Sequence, residues 1–178
     1  MAAMLTIRPV ENRDLPVIWA LSVLPNVGET ADLSVAFPLP PAEALPTAAF
    51  DDLTDPGKTF TAAGGDLIVA EVDGHIVAMG GFRPVAEVPG RVEILRVRVH
   101  PARRRLGFGA AIMNALETRA AARGYRQAWL GTATNQPEAM AFYRNLGYRE
   151  IARETRPEWN WTLVFYLKDI AGLAGPAP

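Results

Sequence analysis

The chain has 178 residues, which is enough for one domain with a substantial core, and its 49% apolar and 21% charged residues are typical of a globular protein. Its 18 basic and 19 acidic residues give a net charge of -1, so we expect no nucleic-acid partner. The absence of cysteine and the presence of only two histidines exclude disulfides, a cysteine nucleophile and a multi-histidine metal site. The sequence has neither an apolar run of membrane-spanning length nor the layout of a signal peptide. We therefore expect a cytoplasmic protein with no membrane partner.

The predicted elements begin with a strand over residues 5–10 and a helix that ends at Leu21, with Asn12 as its candidate cap and Pro16 in its first turn. Residues 22–65 are different, because they contain six of the fifteen prolines. Only two short helices are predicted there, at 42–45 and 48–53. An irregular segment of this length in a compact domain is often functional.

The second half of the chain alternates strands and helices. An Asp73-Gly74 turn predicts a hairpin, and a strand-helix-strand unit over 91–131 requires parallel pairing through a right-handed crossover. The predicted strands are 66–73, 75–83, 91–100, 127–131, 148–152 and 159–167, the helices are 107–123 and 136–146, and a tail at 171–178 is expected to fray. The order predicts an α/β (α+β) fold over residues 1–178, a single domain whose mixed, mostly antiparallel central sheet has about seven strands and helices on both faces.

The segment between the third of these strands and the long helix has the chemistry of an anion-binding site. Three arginines at 103–105, then Gly107 and Gly109, lead into a helix N-terminus, where unpaired N–H groups and a partial positive charge are exposed. The glycines remove Cβ atoms that would keep a ligand from the backbone. The sequence therefore predicts a phosphate or pyrophosphate site, with Arg104 and then Arg105 facing the ligand. The alternative is that the three arginines are only exposed to solvent and bind no ligand.

Two motifs connect this segment to a known family. The P-loop and the dinucleotide-binding fingerprint do not fit, because the sequence reads Gly-Phe-Gly here and Ile112 stands where the third glycine would be. Arg104-Arg-Leu-Gly-Phe-Gly109 fits Arg/Gln-x-x-Gly-x-Gly/Ala, and Ala139-Met-Ala-Phe-Tyr-Arg-Asn-Leu-Gly-Tyr148 fits Ala-x-x-Phe-Tyr-x-x-x-Gly-Phe/Tyr. In this order and spacing, the chain resembles the Gcn5-related N-acetyltransferase (GNAT) superfamily of acyl-CoA N-acyltransferases.

The resemblance implies acetyl-CoA as co-substrate, no metal, a small-molecule or peptide amine as acceptor, and a possible homodimer. It implies that the backbone of residues 97–99 contacts the pantetheine arm, that residues 104–110 surround the pyrophosphate, and that the Tyr143 hydroxyl points at the sulfur. The implied cofactor-binding residues are Val97, Arg98, Val99, Arg104, Arg105, Leu106, Gly107, Phe108, Gly109, Ala110, Asn135 and Tyr143.

Two residues are candidates for catalysis. Tyr143 is the candidate general acid, since a phenol is protonated at neutral pH and can donate to a departing thiolate; a tyrosine that only packs on the sheet is the alternative. Glu93 is the candidate base. Strict strand alternation puts it on one face with Leu95, Val97 and Val99, where it would be partly desolvated. A bulge would change that parity, Arg91 could pair with Glu93, and ordered water could be the base instead.

The sequence thus predicts an N-acetyltransferase that acts by direct attack of a primary amine in a ternary complex. A catalytically weak acyl-CoA-binding sensor or interaction module is the alternative, and a non-specific nucleic-acid binder is disfavoured by the charge. The acceptor is left open among small amines, amino acids, antibiotics, peptide N-termini and protein lysines. Trp159 and Trp161 on the last strand could line its pocket or pack in a core or dimer, and Arg83, Arg96 and Arg98 could hold an acidic acceptor or belong to an exposed face. The two histidines, His75 and His100, are expected to be a turn residue and a strand-end polar residue.

Overall fold

The computed structural model describes residues 4–25 and 30–173. Within them, seven strands form one mixed sheet in the order β1-β2-β3-β4-β5-β7-β6, which confirms the predicted fold class. Only β4 and β5 pair in parallel among the strand pairs described. The strands are β1 (Leu5–Pro9), β2 (Asp66–Val72), β3 (His75–Pro84), β4 (Arg91–Val99), β5 (Gln127–Ala133), β6 (Arg149–Thr155) and β7 (Thr162–Asp169), and the helices are α1 (Leu15–Ser22), α2 (Phe108–Ala122) and α3 (Pro137–Asn145).

Helices cover the two faces of the sheet unequally. On one face, α2 lies close to β3, because a Cβ on Gly80 would come within 2.9 Å of both Ile112 and Leu116. On the other face, α1 and two short helical turns, Ala48–Leu53 and Gly57–Thr61, form a second core with side chains of β2, β3 and β4. Trp129 of β5 and Phe165 of β7 are outside both cores and stay partly exposed. A recess beside β4 is therefore left open.

The start of the first helix differs from its prediction. Asn12 does not cap α1, whose N-cap is Asp14. A 3₁₀ turn over Asn12–Asp14 precedes the helix, and its capping box joins Glu11 and Asp14, with the Glu11 N–H donating to the Asp14 carboxylate at 2.7 Å. The carboxylate is held in place by the Arg8 guanidinium at 2.7 and 2.9 Å. Asp14, fixed by its bonds to Arg8 and to the Glu11 N–H, therefore marks where the helix begins.

The irregular segment at 22–65 lacks one of its two predicted short helices and contains one helical turn that was not predicted. No helix forms at 42–45, because Pro46 disfavours the helical conformation at the preceding residue and the Ala42 N–H bonds to the Pro16 carbonyl at 2.9 Å. The turn at Ala48–Leu53 is present as a 3₁₀ helix, and the π turn at Gly57–Thr61 was not predicted.

The C-terminal strands are also shifted. The last strand begins at Thr162 and not at 159, because a turn in which the Trp159 N–H bonds to the Arg156 carbonyl at 3.0 Å takes Trp159 out of the sheet. In the tail, Ala171–Leu173 form a 3₁₀ turn, and the rest of the segment expected to fray lies outside the described residues. Among the residues described, no helix is both long and apolar enough to cross a membrane.

Candidate active site

A cavity of about 310 Å³ opens where β4 and β5 separate. The two strands pair only at Arg91–Gln127, Val92–Ala128 and Glu93–Trp129, and they diverge beyond that point. The cavity is lined by Glu93, Ile94, Leu95, Arg96, Val97, Arg98, Trp129, Leu130, Gly131, Tyr143, Leu163 and Phe165. The split between parallel strands therefore brings the two candidate catalytic residues, Glu93 and Tyr143, to one recess.

A β-bulge at Arg96 determines which side chains of β4 face the recess. Arg96 has a φ of +59°, and the pairing register between β3 and β4 shifts at this point. Val97 and Val99 consequently pack in the core under α2, whereas Leu95 belongs to the core on the opposite face. The expected shared face of Glu93 with Val97 and Val99 is wrong, since the bulge reverses the alternation between them.

Glu93 is less enclosed than its predicted position implied. Its side chain is 38% exposed, and its carboxylate lies 3.8 Å from the guanidinium of Arg83 on β3. Arg91, the partner considered from the sequence, instead donates to the side-chain oxygen of Gln127 at 3.0 and 3.2 Å. Glu93 therefore reaches both the recess and solvent.

Tyr143 is on α3 and closes the inner end of the recess. It is only 8% exposed, and its ring contacts those of Phe142 and Tyr148 at centroid distances of 5.2 and 6.0 Å. Burial raises the pKa of the Tyr143 hydroxyl to about 12, and the positive charge of Arg98 opposes this rise. The hydroxyl is therefore protonated throughout the neutral range, as a general acid requires.

Arg98 brings a positive charge to the same recess. Its Nε donates to the carbonyl of Ser22 at the C-terminal end of α1 at 3.2 Å, and its Nη1 donates to the Val97 carbonyl at 2.9 Å. Burial lowers the pKa of this guanidinium to about 10, which leaves it charged at neutral pH. The side chain thus extends from β4 across the face that α1 covers.

The predicted anion-binding segment forms an open turn followed by the N-terminus of α2. Arg105 and Gly107 have φ values of +67° and +82°, and a Cβ on Gly107 would meet nothing within 4 Å. The Ala111 N–H makes the bond to the Gly107 carbonyl at 3.0 Å, so the N–H groups of residues 108–110 precede the helical ladder. Arg105 and Leu106 are exposed beside them. This geometry fits a phosphate group held by the main chain.

Gly109 has a different role from the one predicted. A Cβ at this position would not obstruct a ligand from solvent; it would come within 3.1 Å of the Phe142 ring and 3.2 Å of Val99. The glycine instead allows the first turn of α2 to pack against α3, next to Tyr143. The two sequence motifs are thus in direct contact.

The three arginines of the run point to different partners. The Arg103 guanidinium lies 3.9 Å from the centroid of the Phe37 ring, and that of Arg104 donates to the carbonyls of Thr30 and Pro25 at 3.3 and 3.1 Å. Both therefore bind the irregular segment after α1. Arg105 is the exposed member of the run, and whether Arg104 also reaches a phosphate stays a prediction.

Three other predicted side chains lie away from the recess. Asn135 is exposed in the turn between β5 and α3 and is not one of the residues that line the cavity. Trp159 and Trp161 stack on each other with ring centroids 4.2 Å apart, and neither lines the cavity. The prediction that the two tryptophans belong to the last strand is wrong, because that strand begins at Thr162, and whether they line an acceptor pocket or pack in a dimer stays a prediction.

A flat apolar wall was not found from the sequence. Trp129 and Phe165 stack at a centroid distance of 5.2 Å and an interplanar angle of 11°, and both line the cavity. Gly131 lies directly opposite Phe165 in the sheet, and a Cβ at Gly131 would come within 3.2 Å of the Phe165 ring, so the glycine lets the ring lie over β5. The wall depends on the register between β5 and β7, for which the sequence has no local signal.

Comparisons with known proteins identify the family of the chain. The model of the acetyltransferase (GNAT) family matches residues 31–148, more than half of the chain. Human N-acetyltransferase 8 is 25% identical over 145 residues, which cover 79% of this chain and 64% of that protein. The chain spans less than two thirds of the length of the curated relatives it matches.

Solved structures share the fold at low sequence identity. A GNAT-family acetyltransferase of Staphylococcus aureus Mu50 has a TM-score of 0.72 at 18% identity, covering 94% of this chain and 99% of its own. An acetyltransferase of Salmonella typhimurium, solved with its cofactor acetyl-CoA, has a TM-score of 0.68 at 18% identity, covering 97% and 98%. With both sequence motifs in contact at one recess and the family model matching across them, the chain belongs to the GNAT acetyltransferase family.

Proposed function

We propose that the protein transfers an acetyl group from acetyl-CoA to an amine, by direct attack in a ternary complex. The observation that carries this proposal is the contact between Gly109 and Phe142, which joins the open helix N-terminus of α2 to the recess containing Tyr143. The acetyl-CoA in the structure of the Salmonella relative supports the choice of ligand.

The residues of this chain fit such a ligand. The N–H groups of residues 108–110 and the exposed Arg105 would hold the pyrophosphate, since they combine unpaired donors with positive charge. The backbone of residues 97–99 would hold the pantetheine arm along the edge where β4 leaves β5. The expected contact of Asn135 with this arm stays a prediction. The arm would then run from the α2 N-terminus toward Tyr143.

The chemistry requires a neutral amine and a proton for the leaving thiolate. The co-substrate supplies an acetyl group activated as a thioester. A C–N bond forms as the C–S bond breaks, the amine gives up one proton, and the Tyr143 hydroxyl donates one to the sulfur. Because the chain has no cysteine, no acetyl-cysteine intermediate is proposed.

Glu93 is proposed to accept the proton of the amine. It lines the same recess as Tyr143 and is exposed enough to pass the proton to solvent. Ordered water is the alternative acceptor, and the pH dependence of a Glu93 variant separates the two.

Calorimetry with coenzyme A and a thiol-release assay across amine classes test the proposal. We expect heat on binding and free thiol only when an acceptor amine is present. No heat at millimolar coenzyme A would overturn the proposal. Heat without thiol release for any amine class would favour an acyl-CoA-binding sensor instead.

A further inference from the structure

We propose that Arg98 binds a carboxylate of the acceptor, so that the acceptor is an amine that also carries a carboxylate and an apolar group. This rests on the proposed acetyl transfer and specifies the substrate class of the same recess. The three arginines of β3 and β4 that could meet an acidic acceptor differ in one respect: two of them already have a carboxylate partner.

The two paired arginines are Arg83 and Arg96. Arg83 lies 3.8 Å from the Glu93 carboxylate, and Arg96 donates to both oxygens of Asp52 at 2.7 and 3.0 Å. Two charged or titratable groups interact electrostatically with the Arg98 guanidinium: the Tyr143 hydroxyl and the Arg96 guanidinium. No carboxylate within residues 4–25 and 30–173 interacts with it in this way.

The Arg98 guanidinium has donors to spare. Its two bonds, to the carbonyls of Ser22 and Val97, use two of its five N–H groups. A partly buried positive charge without an anionic partner is costly, and burial already lowers the pKa of this group to about 10. An incoming carboxylate would offset that cost through charge-assisted hydrogen bonds.

The position of Arg98 favours the acceptor as the source of the anion. The phosphates of coenzyme A belong at the N-terminus of α2, beyond the end of β4, whereas the thioester arm is uncharged. Arg98 lines the cavity together with Tyr143 and is tied to the C-terminal end of α1, on the face opposite α2. A carboxylate held there would keep the amine of the same molecule close to Tyr143.

The stacked wall opposite Arg98 specifies the rest of the acceptor. Trp129 and Phe165 present a flat apolar surface, and Leu95 and Leu163 extend it around the cavity. An aromatic or large apolar side chain would bury its surface on this wall. The combined chemistry fits an α-amino carboxylate with such a side chain, for which phenylalanine is the probe.

The test compares phenylalanine with phenylalaninamide, in which a neutral amide of similar size replaces the carboxylate. We measure kcat/KM for both with the wild type, Arg98→Gln and Arg98→Lys, and with Arg153→Gln as a matched control on the exposed β6 strand. We expect Arg98→Gln to lower kcat/KM for phenylalanine by roughly 30-fold and for the amide by less than threefold. Arg98→Lys should restore part of the loss, and the control should change neither value. The intrinsic reactivity of each amine is the same with every variant, so it cancels from the comparison.

Other results overturn the inference without touching the proposed function. An equal loss for both acceptors would mean that Arg98 acts on the reacting acetyl group, and a weaker affinity for coenzyme A would mean that it serves the cofactor. Where neither probe is turned over, calorimetry of phenylalanine on the coenzyme A-loaded protein decides. Binding that Arg98→Gln abolishes supports the inference, and no binding overturns it. The proposed function itself fails only in the coenzyme A and amine-panel assays.

Discussion

The proposed cofactor side and the proposed acceptor side of the recess are built in different ways. The cofactor side, residues 97–110, is a continuous piece of chain whose backbone conformation creates the site, with positive φ at Arg105 and Gly107 and a helix N-terminus directly after them. The acceptor side is assembled from four elements: the side chains of Arg98 on β4, Trp129 on β5 and Phe165 on β7, and the main-chain carbonyl of Ser22 at the end of α1.

The difference indicates where specificity resides. Main-chain donors can hold one constant ligand whatever side chains surround them, so the cofactor side requires a conformation more than particular residue types. The acceptor side depends on charge and shape at single positions, so one substitution there can change the substrate. Tyr143 on α3 lies where the two sides meet, and removing its hydroxyl should have the largest effect.

Tyr143→Phe should lower kcat by roughly 100-fold while leaving the affinity for coenzyme A unchanged, because the ring still packs but no proton reaches the thiolate. Since burial raises the pKa of this hydroxyl to about 12, it stays protonated as the pH rises through 10, and the wild-type rate should not fall there through its ionisation. Rapid-quench or thiol-release kinetics measure kcat and its pH dependence, and calorimetry measures the affinity for coenzyme A. Tyr125→Phe, whose hydroxyl donates to the Gly64 carbonyl, is the matched control. An unchanged kcat would remove Tyr143 from the mechanism.

Glu93→Gln tests the acceptor side alone. If the carboxylate takes the proton from the amine, the variant should lose roughly tenfold in kcat/KM and its pH–rate profile should lose one ionisation. The affinity for coenzyme A should not change, because the α2 N-terminus is untouched. A profile with the same shape as that of the wild type would assign the proton to water instead.

Gly107→Ala tests the cofactor side alone, with Gly90→Ala as its control. Both glycines have φ near +82°, and a Cβ on either would meet nothing within 4 Å, so both substitutions carry the same backbone strain of about 1 kcal/mol. Urea unfolding should show similar losses of stability. Only Gly107→Ala should also weaken coenzyme A binding, by roughly fivefold, because its added Cβ would stand beside the N–H groups of residues 108–110 that are proposed to hold the pyrophosphate. Equal binding by the two variants would contradict a main-chain phosphate site.

The same division explains what could be predicted from the sequence. The Gly-containing motif predicts the cofactor side, and the alternation of strands and helices predicts the sheet. Both depend on local conformation and hydrophobic periodicity, which neighbouring residues determine. The bulge at Arg96 could not be predicted, since a positive φ at an arginine has no local sequence signal, and it moved Glu93 to another face than Val97. The Trp129–Phe165 wall depends on the register of β5 and β7, which are far apart in the chain.

His100 connects the cofactor side to the irregular segment after α1, and its protonation should produce a small effect on both. The residue is fully buried; its Nδ1 accepts from the Ala102 N–H at 3.2 Å, within residues 97–110, and its Nε2 is 3.0 Å from the Ala36 carbonyl in the irregular segment. These partners make Nδ1 the acceptor and Nε2 the donor, so the neutral ring satisfies both. This geometry agrees with the expectation that His100 is a polar residue at the end of a strand.

Burial, and then the charges of Arg103 and Arg104, keep the pKa of His100 below its usual value of 6.5, although the Ala36 carbonyl opposes this. Because the unfolded chain then binds the proton at a higher pH than the native protein does, stability is complete above about pH 6.5 and falls as the pH drops below it. Thermal unfolding between pH 7.5 and 5.5 should show this fall in Tm. His100→Gln should have a lower Tm but a flatter slope, whereas His75→Gln, at an exposed position, should keep the wild-type slope. The same slope in His100→Gln as in the wild type would mean that other groups cause the pH dependence, and that this histidine does not couple the two segments through its proton.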